Sequence, residues 1–220
     1  PAPFGRHAAR LVLAEGGRVA LHAAQVAEHG ANLGREPRDG MAPGPAIARG
    51  RAEHGRAPLL GLALLRAAQM AGALEAVLAQ AVEWANTRKQ FGRAIGKFQA
   101  VQQQLAAMAG EVAAATVAVA AAARAADARA LDGAAFEIAC AKVVAGEAAT
   151  LGAATAHQVF AAIGITEDHG LHHLTRRLWS WREEGGTERA WAQELGRTAI
   201  GWGGDFWAEL TARDVTGSSA

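Results

Sequence analysis

Cysteine is almost missing from this chain: Cys140 stands alone in 220 residues, so no internal disulfide forms and a reducing compartment is the default. Charge of one sign is also missing. The 22 Lys and Arg face 21 Asp and Glu, a net charge of +1, with the basic residues scattered among acids. A protein that grips nucleic acid through its phosphates needs a basic face, and the sequence offers none. The opening residues do not read as a secretory leader, so none is expected. The longest apolar run, Val112 to Ala123, is far short of the roughly 20 residues that cross a bilayer. The expected setting is therefore the cytoplasm, without membrane insertion. The first residue is Pro1 and not methionine, as in a piece of a longer product. No internal repeat is evident.

What is abundant is small and apolar. Hydrophobic residues make up 51% of the chain, much of it alanine, which favours helices that approach one another closely. Residues 1–56 differ from the rest. "RLVLAEGGRVALH" (10–22) reads as two short strands around a Gly16-Gly17 turn. "NLGREPRDGMAPGPAIARG" (32–50), with Pro37, Pro43 and Pro45, reads as turn and loop. Together they form a partial β-domain remnant and linker.

From Ala57 onward the pattern is helical. Pro58 suits a first helical turn, and Met70, Leu74, Val77, Leu78 and Ala81 follow at helical spacing to a break near Lys89. A second helix carries Phe98, Val101, Leu105, Met108 and Val112 and ends at a turn over 131–133. A third, about 134–162, shows Cys140, Val144, Ala148, Leu151 and Thr155 on one stripe. A fourth presents Leu171, Leu174, Leu178 and Trp181, and Thr187 caps a fifth that runs through Trp191 and Leu195. The fold class is mainly α: an antiparallel four-helix bundle over 57–210, preceded by the β remnant and followed by a tail at 211–220.

Three loops of such a bundle, 87–99, 157–166 and 184–189, are expected to cluster. The first offers Arg88, suited to bidentate phosphate contact, and the amide of Gln99. The second offers Gln158 and then Ala161, Ala162 and Gly164, small residues that let a flat ligand approach backbone. The third sets Gly185-Gly186-Thr187 at a helix start, where free N–H groups favour an anion. Singly, each has a plainer reading: an ion-paired surface arginine, solvated glutamines, a helix terminator, a cap.

Their order resembles the C-terminal domain of the acyl-CoA dehydrogenase family. The residues that carry the resemblance are Arg88, Phe91-Gly92, Phe98-Gln99-Ala100-Val101-Gln102, Leu105-Ala106-Ala107-Met108 and the run from Gln158 to Thr166. It covers about residues 57–200, and "EHGANLGREPRDG" (28–40) is similar to the family's β-domain exit. The resemblance implies FAD shared between subunits and the formation of an α,β double bond in an acyl-CoA thioester. It implies that Arg88 and Gln99 contact the diphosphate side, that Gln158 with Ala161 to Gly164 lines the adenine end, and that Thr187 meets the cofactor near the reaction. It also implies an electron-transfer flavoprotein as acceptor.

The family's base is a glutamate directly before a Gly-Thr pair, or one early in the first bundle helix. Here those places hold Gly185 and, by counting back, a position near Leu62. Glu184 is the candidate catalytic residue if the loop is shifted; the plain alternative is a solvated carboxylate ending a helix. Ala161-Ala162 replaces the family's paired glycines. "EDHGLHHLTRRLWSWREEGG" (167–186) looks like a divergent branch that includes sterol-side-chain members assembled as α2β2 tetramers, in which one subunit type has lost the base. The expected partner is accordingly a homologous subunit, in a dimer or such a tetramer. A helical-bundle partner that binds no cofactor is the alternative function. His169, His172 and His173 lack the further ligands of a zinc site, so no metal is expected. The C-terminal tryptophans read as core and subunit-contact residues.

Overall fold

The computed structural model describes residues 1–15, 17–51 and 55–213 of the 220. They divide into a unit Pro1–Pro58 and a second that begins at Leu59. In the first, strands β1 (Ala2–Pro3), β2 (Arg10–Glu15), β3 (Arg18–Glu28) and β4 (Arg38–Arg51) form an antiparallel sheet in the order β1-β4-β3-β2. The β2–β3 hairpin pairs Glu15 with Arg18, and Gly17 supplies the positive φ of 75° that a two-residue turn needs. Gly16 lies outside the described residues.

The loop expected over 32–50 is a correction. Only its first part turns, around Asn32 and the Ala31–Pro37 bridge; from Arg38 it becomes a 14-residue strand paired along β3. The prolines are tolerated because the register slips twice beside them, between Leu21, His22 and Ala24, so missing N–H donors fall at irregularities. The buried Asp39 anchors this unit. Its carboxylate accepts from the Arg6 backbone N–H and guanidinium, each at 2.7 Å, and that partner holds its pKa well below the usual carboxylate range.

The second unit is the helical bundle. It comprises α1 (Ala57–Thr87), a two-strand hairpin of β5 (Lys89–Gln90) and β6 (Arg93–Ala94), α2 (Gln99–Gly133), α3 (Ala135–Phe160), α4 (Leu171–Glu183), α5 (Glu188–Gly201) and α6 (Phe206–Thr211). The last of these has no counterpart in the sequence reading. Leu60, Ala63, Ala67, Met70, Leu74, Val77 and Ala81 recur at steps of three and four on α1 and are fully buried. On α2 Met108 and Val112 join the same core. The turn expected at 131–133 is helical; the break falls at Ala130, whose φ of 56° and ψ of 176° lie outside the helical region.

On α3 the apolar stripe also differs from expectation. Leu151 is exposed, while Ile138, Ala141, Ala145, Ala148, Ala149, Gly152 and Ala156 face the core. A Cβ added at Gly152 would fall 2.5 Å from Leu74 Cδ2. The smallest side chains mark the buried face because they set how closely the helices approach; the larger ones were the wrong guide.

Three stretches, Ala57–Thr87, Gln99–Gly133 and Ala135–Ile165, are long and apolar enough to cross a membrane by length and composition. Counting unbroken apolar runs missed this, since isolated Gln, Glu and Arg interrupt stretches whose mean is still apolar. In the fold all three contribute to one shared core.

Candidate functional site

The first corner closes α1. Thr87 donates to the carbonyl of Glu83 at 3.0 Å, and the Arg88 N–H donates to that of Trp84 at 2.8 Å. The chain then turns through Phe91 (φ 51°) and Gly92 (φ 80°), a two-residue hairpin whose left-handed pair matches strand twist. The Ile95 N–H returns to the carbonyl of Arg88 at 2.9 Å, so Arg88 is held by its backbone on both sides.

Its guanidinium is exposed, 5.9 Å from the Trp84 ring, and no ion pair engages it among the described residues. Trp84 stacks on Phe160 with centroids 5.3 Å apart, and Phe160 meets His169 at 4.5 Å. Beside this stack is a cavity of about 320 Å³ lined by Arg88, Gln90, Ile95, Val159 and Ala161 to Ile163, with Trp84 and Phe160 as its floor. Loops 87–99 and 157–166 thus meet, as expected.

Not every expected residue reaches that cavity. Gln99 opens α2 and Gln158 lies on α3; both are exposed beside the cavity residues without lining it. Gly164 is buried behind the wall, where an added Cβ would fall 2.8 Å from Phe160 Cβ. Ala161 ends α3 at φ 54°, ψ −139°, a region that L side chains rarely occupy. Replacing Ala161 by Gly should relieve this strain and stabilise the fold by about 1 kcal/mol after the entropy of glycine is deducted. A raised urea midpoint with an unchanged m value would verify it.

The loop 184–187 does not join this corner, which corrects the expected three-loop cluster. It packs at the opposite end of α1: a Cβ on Gly185 would fall 2.9 Å from the Ala63 nitrogen and 3.2 Å from the Leu62 carbonyl carbon. From Ala63 to Arg88 is 25 residues, about 38 Å along a helix at 1.5 Å per residue. The two places where the sequence lacks a glutamate, Gly185 and Leu62, are therefore neighbours in space.

The loop is tied down on every side. Gly185 and Gly186 take φ of 71° and 94°. The Trp191 indole donates to the Gly185 carbonyl at 2.8 Å, and Thr187 Oγ1 accepts from the Ala190 N–H at 3.3 Å, the cap expected of it. Glu184 Oε2 lies 2.7 Å from the Arg66 guanidinium, whose side chain is 5% exposed. Arg182 Nε donates to Glu188 Oε1 at 2.5 Å.

Exposure and burial single out two residues, the second of which, Lys142, escaped the sequence reading. Phe91, part of the Phe-Gly pair read from the sequence, is 91% exposed at the hairpin tip, its ring edge-on to that of Phe98 with centroids 6.2 Å apart. Lys142 is fully buried, and its Nζ donates to the Arg182 carbonyl at 2.6 Å. Burial pushes its ammonium down to about 8, partly offset by Glu188 and Glu183. Its only signal was a charged residue inside an apolar stripe. Burial pushes the lone thiol of Cys140 up to about 11, which makes it a poor nucleophile at neutral pH. Among the described residues no His, Cys, Asp and Glu cluster is placed to hold a metal ion.

Residues 51–199 match the family model described as acyl-CoA dehydrogenase, C-terminal domain. Acyl-CoA dehydrogenase IpdE2 of Mycobacterium tuberculosis is 34% identical over 115 residues, which are 52% of this chain and 34% of that protein. The ChsE4-ChsE5 complex from Mycobacterium tuberculosis superposes with a TM-score of 0.80 at 26% identity, over 90% of this chain and 57% of the matched one. The Tcur3481-Tcur3483 steroid ACAD does so with a TM-score of 0.79 at 26% identity, over 96% and 58%. The chain spans about a third of the curated relative and less than three fifths of these two solved chains.

Proposed function

Since this chain belongs to the acyl-CoA dehydrogenase family through its C-terminal domain, we propose that it is one subunit of an FAD-dependent enzyme that oxidises an acyl-CoA thioester between its α and β carbons. The observation that carries this reading is Arg88: its backbone is held on both sides, its guanidinium is engaged in no ion pair among the described residues, and it lines a mostly apolar cavity. A cation above an aromatic floor fits a diphosphate joined to a flat base, and Ala161 to Ile163 bring backbone to the same wall.

In this reading Arg88 neutralises the diphosphate, and Gln99 and Gln158 offer amides at the edges. Trp84, Val159, Phe160 and Ile163 exclude water from the adenine end. Thr187, 38 Å or so along α1 by the helical rise, serves a separate part of the assembly beside the reaction. Bound FAD would accept the hydride as the substrate loses its α-proton. This chain supplies no base for that proton, because Gly185 and Leu62 carry none and Glu184 is turned to Arg66. The base comes from a homologous subunit, in a dimer or an α2β2 assembly, and an electron-transfer flavoprotein takes the electrons. The likeness to two solved relatives, a two-component complex and a steroid ACAD, favours that assembly and a bulky polycyclic acyl group. The setting is the cytoplasm.

Co-expression with a homologous chain that retains the glutamate tests this. The purified pair should carry flavin, bleached by acyl-CoA. Arg88→Ala should weaken flavin retention at least tenfold, since a hydrogen bond to a charged group contributes about 1.5–3 kcal/mol. The melting temperature of the apo-protein should stay put, as Arg88 is exposed. Unchanged flavin content would leave the cofactor-free structural partner as the better reading.

A further inference from the structure

A fully buried ammonium with no part in the chemistry above requires an account. Lys142 sits on α3, and its hydrogen bond ends on the carbonyl of Arg182, in the last turn of α4, where helical carbonyls have no partner within the helix. One turn further along α3, Gly146 clears space for the first turn of α5: a Cβ there would overlap the Glu188 carboxylate. Between these two contacts the chain passes through Glu184, Gly185, Gly186 and Thr187. The charged groups facing Lys142 are Arg182 and Glu183 from α4, Glu184 from the loop and Glu188 from α5, with Arg66 of α1 beyond Glu184.

We propose that Lys142 is a positioning residue. By holding the last turn of α4 against α3 it fixes where the double-glycine loop leaves, and so where Thr187 stands. Two consecutive left-handed glycines have no side chains of their own to brace the exit, so its place depends on contacts made to it. The Trp191 indole holds the Gly185 carbonyl and Arg66 holds Glu184, and the two helix ends that flank the loop are braced through Lys142 to Arg182 and through Arg182 to Glu188. The role toward the cofactor rests on the preceding reading of Thr187; the hold on the loop does not.

Hydrogen exchange on the co-expressed pair tests it with Lys142→Met, which keeps length and loses the donor. Exchange at residues 183–188 should quicken at least tenfold while α2 and the middle of α3 keep their protection. The flavin absorbance bands should shift and kcat should fall about tenfold at an unchanged KM. Lys142→Gln, which still donates an N–H, should recover most of the loop protection, and it carries the test if the methionine variant fails to fold. Unchanged loop exchange, or exchange quickened evenly over α3 to α5, would overturn the proposal. A loosened loop with unmoved flavin bands and kcat would overturn the cofactor role alone. A wild-type pair without flavin would count against the preceding reading, and the exchange experiment would still decide the hold on the loop.

Discussion

Gly185→Glu is expected to unfold the loop without creating a dehydrogenase. Writing the family's glutamate back into its place is the obvious repair, but the site has lost the room for it. A side chain at 185 meets the Ala63 nitrogen at 2.9 Å and its Cα at 3.0 Å, and these are helix backbone atoms that cannot swing aside. The φ of 71° adds about 1–2 kcal/mol of strain for any L side chain, and overpacking adds typically 1–3 kcal/mol. A loss of about 2–5 kcal/mol follows, read as a lowered urea midpoint, with no turnover by this chain alone. Leu62→Glu is the instructive companion. Leu62 is half-buried on α1 beside the same spot, in ordinary helical backbone, so its variant should keep the fold. If Gly185→Glu melted like the wild type, the tight contact with α1 would be refuted.

The second large effect lies in alkali. Lys142 titrates at about 8 when folded, against 10.5 as its ordinary value, because burial penalises the charged form and the surrounding carboxylates recover only part of that. Below pH 8 both the folded and unfolded chains hold this proton, and the folded chain bears the whole cost. As pH rises from about 8 to 10.5 the folded chain has released the proton and the unfolded chain has not. Stability from this group must therefore increase with pH, by about 1.4 kcal/mol per pH unit and about 3 kcal/mol in all. The difference in urea unfolding free energy between wild type and Lys142→Met, followed from pH 7 to 10, isolates it from other titrations. A difference flat in pH would show that the amine is solvated. The same comparison at pH 7 should come out near neutral, since the variant escapes the burial cost but strands the Arg182 carbonyl, which costs about 1–3 kcal/mol.

Much of the bundle was legible because its signals are local. Met70, Leu74 and Val77 repeat at helical spacing, Thr187 is a capping side chain before a helix, and Phe91-Gly92 is a turn whoever its neighbours are. What failed depended on partners. β4 became a strand because β3 bulges around Pro43 and Pro45, and nothing in "MAPGPAIARG" announces those bulges. The α3 face was misjudged because burial there follows alanine and glycine, whose small size reads as neutral until the neighbouring helix is in place. Arg88 with Ala161 and Ala162 could be paired from family order, whereas the distance of Thr187 from them follows from the length of α1, which was available in the sequence and not used. The ion pair of Glu184 with Arg66, 118 positions away, is a contact that nothing local to either residue announces.

The alanine and glycine seam along α3 has a consequence for how this domain tolerates change. A seam lined with methyl groups has almost nothing to lose by truncation, so the familiar damage of shaving a large side chain falls on the residues around it, such as Leu60, Met70, Leu74, Met108 and Leu178. Growth is the danger instead. Every step from alanine toward valine or leucine on that seam drives two backbones apart, and the seam is guarded against enlargement far less well than against deletion.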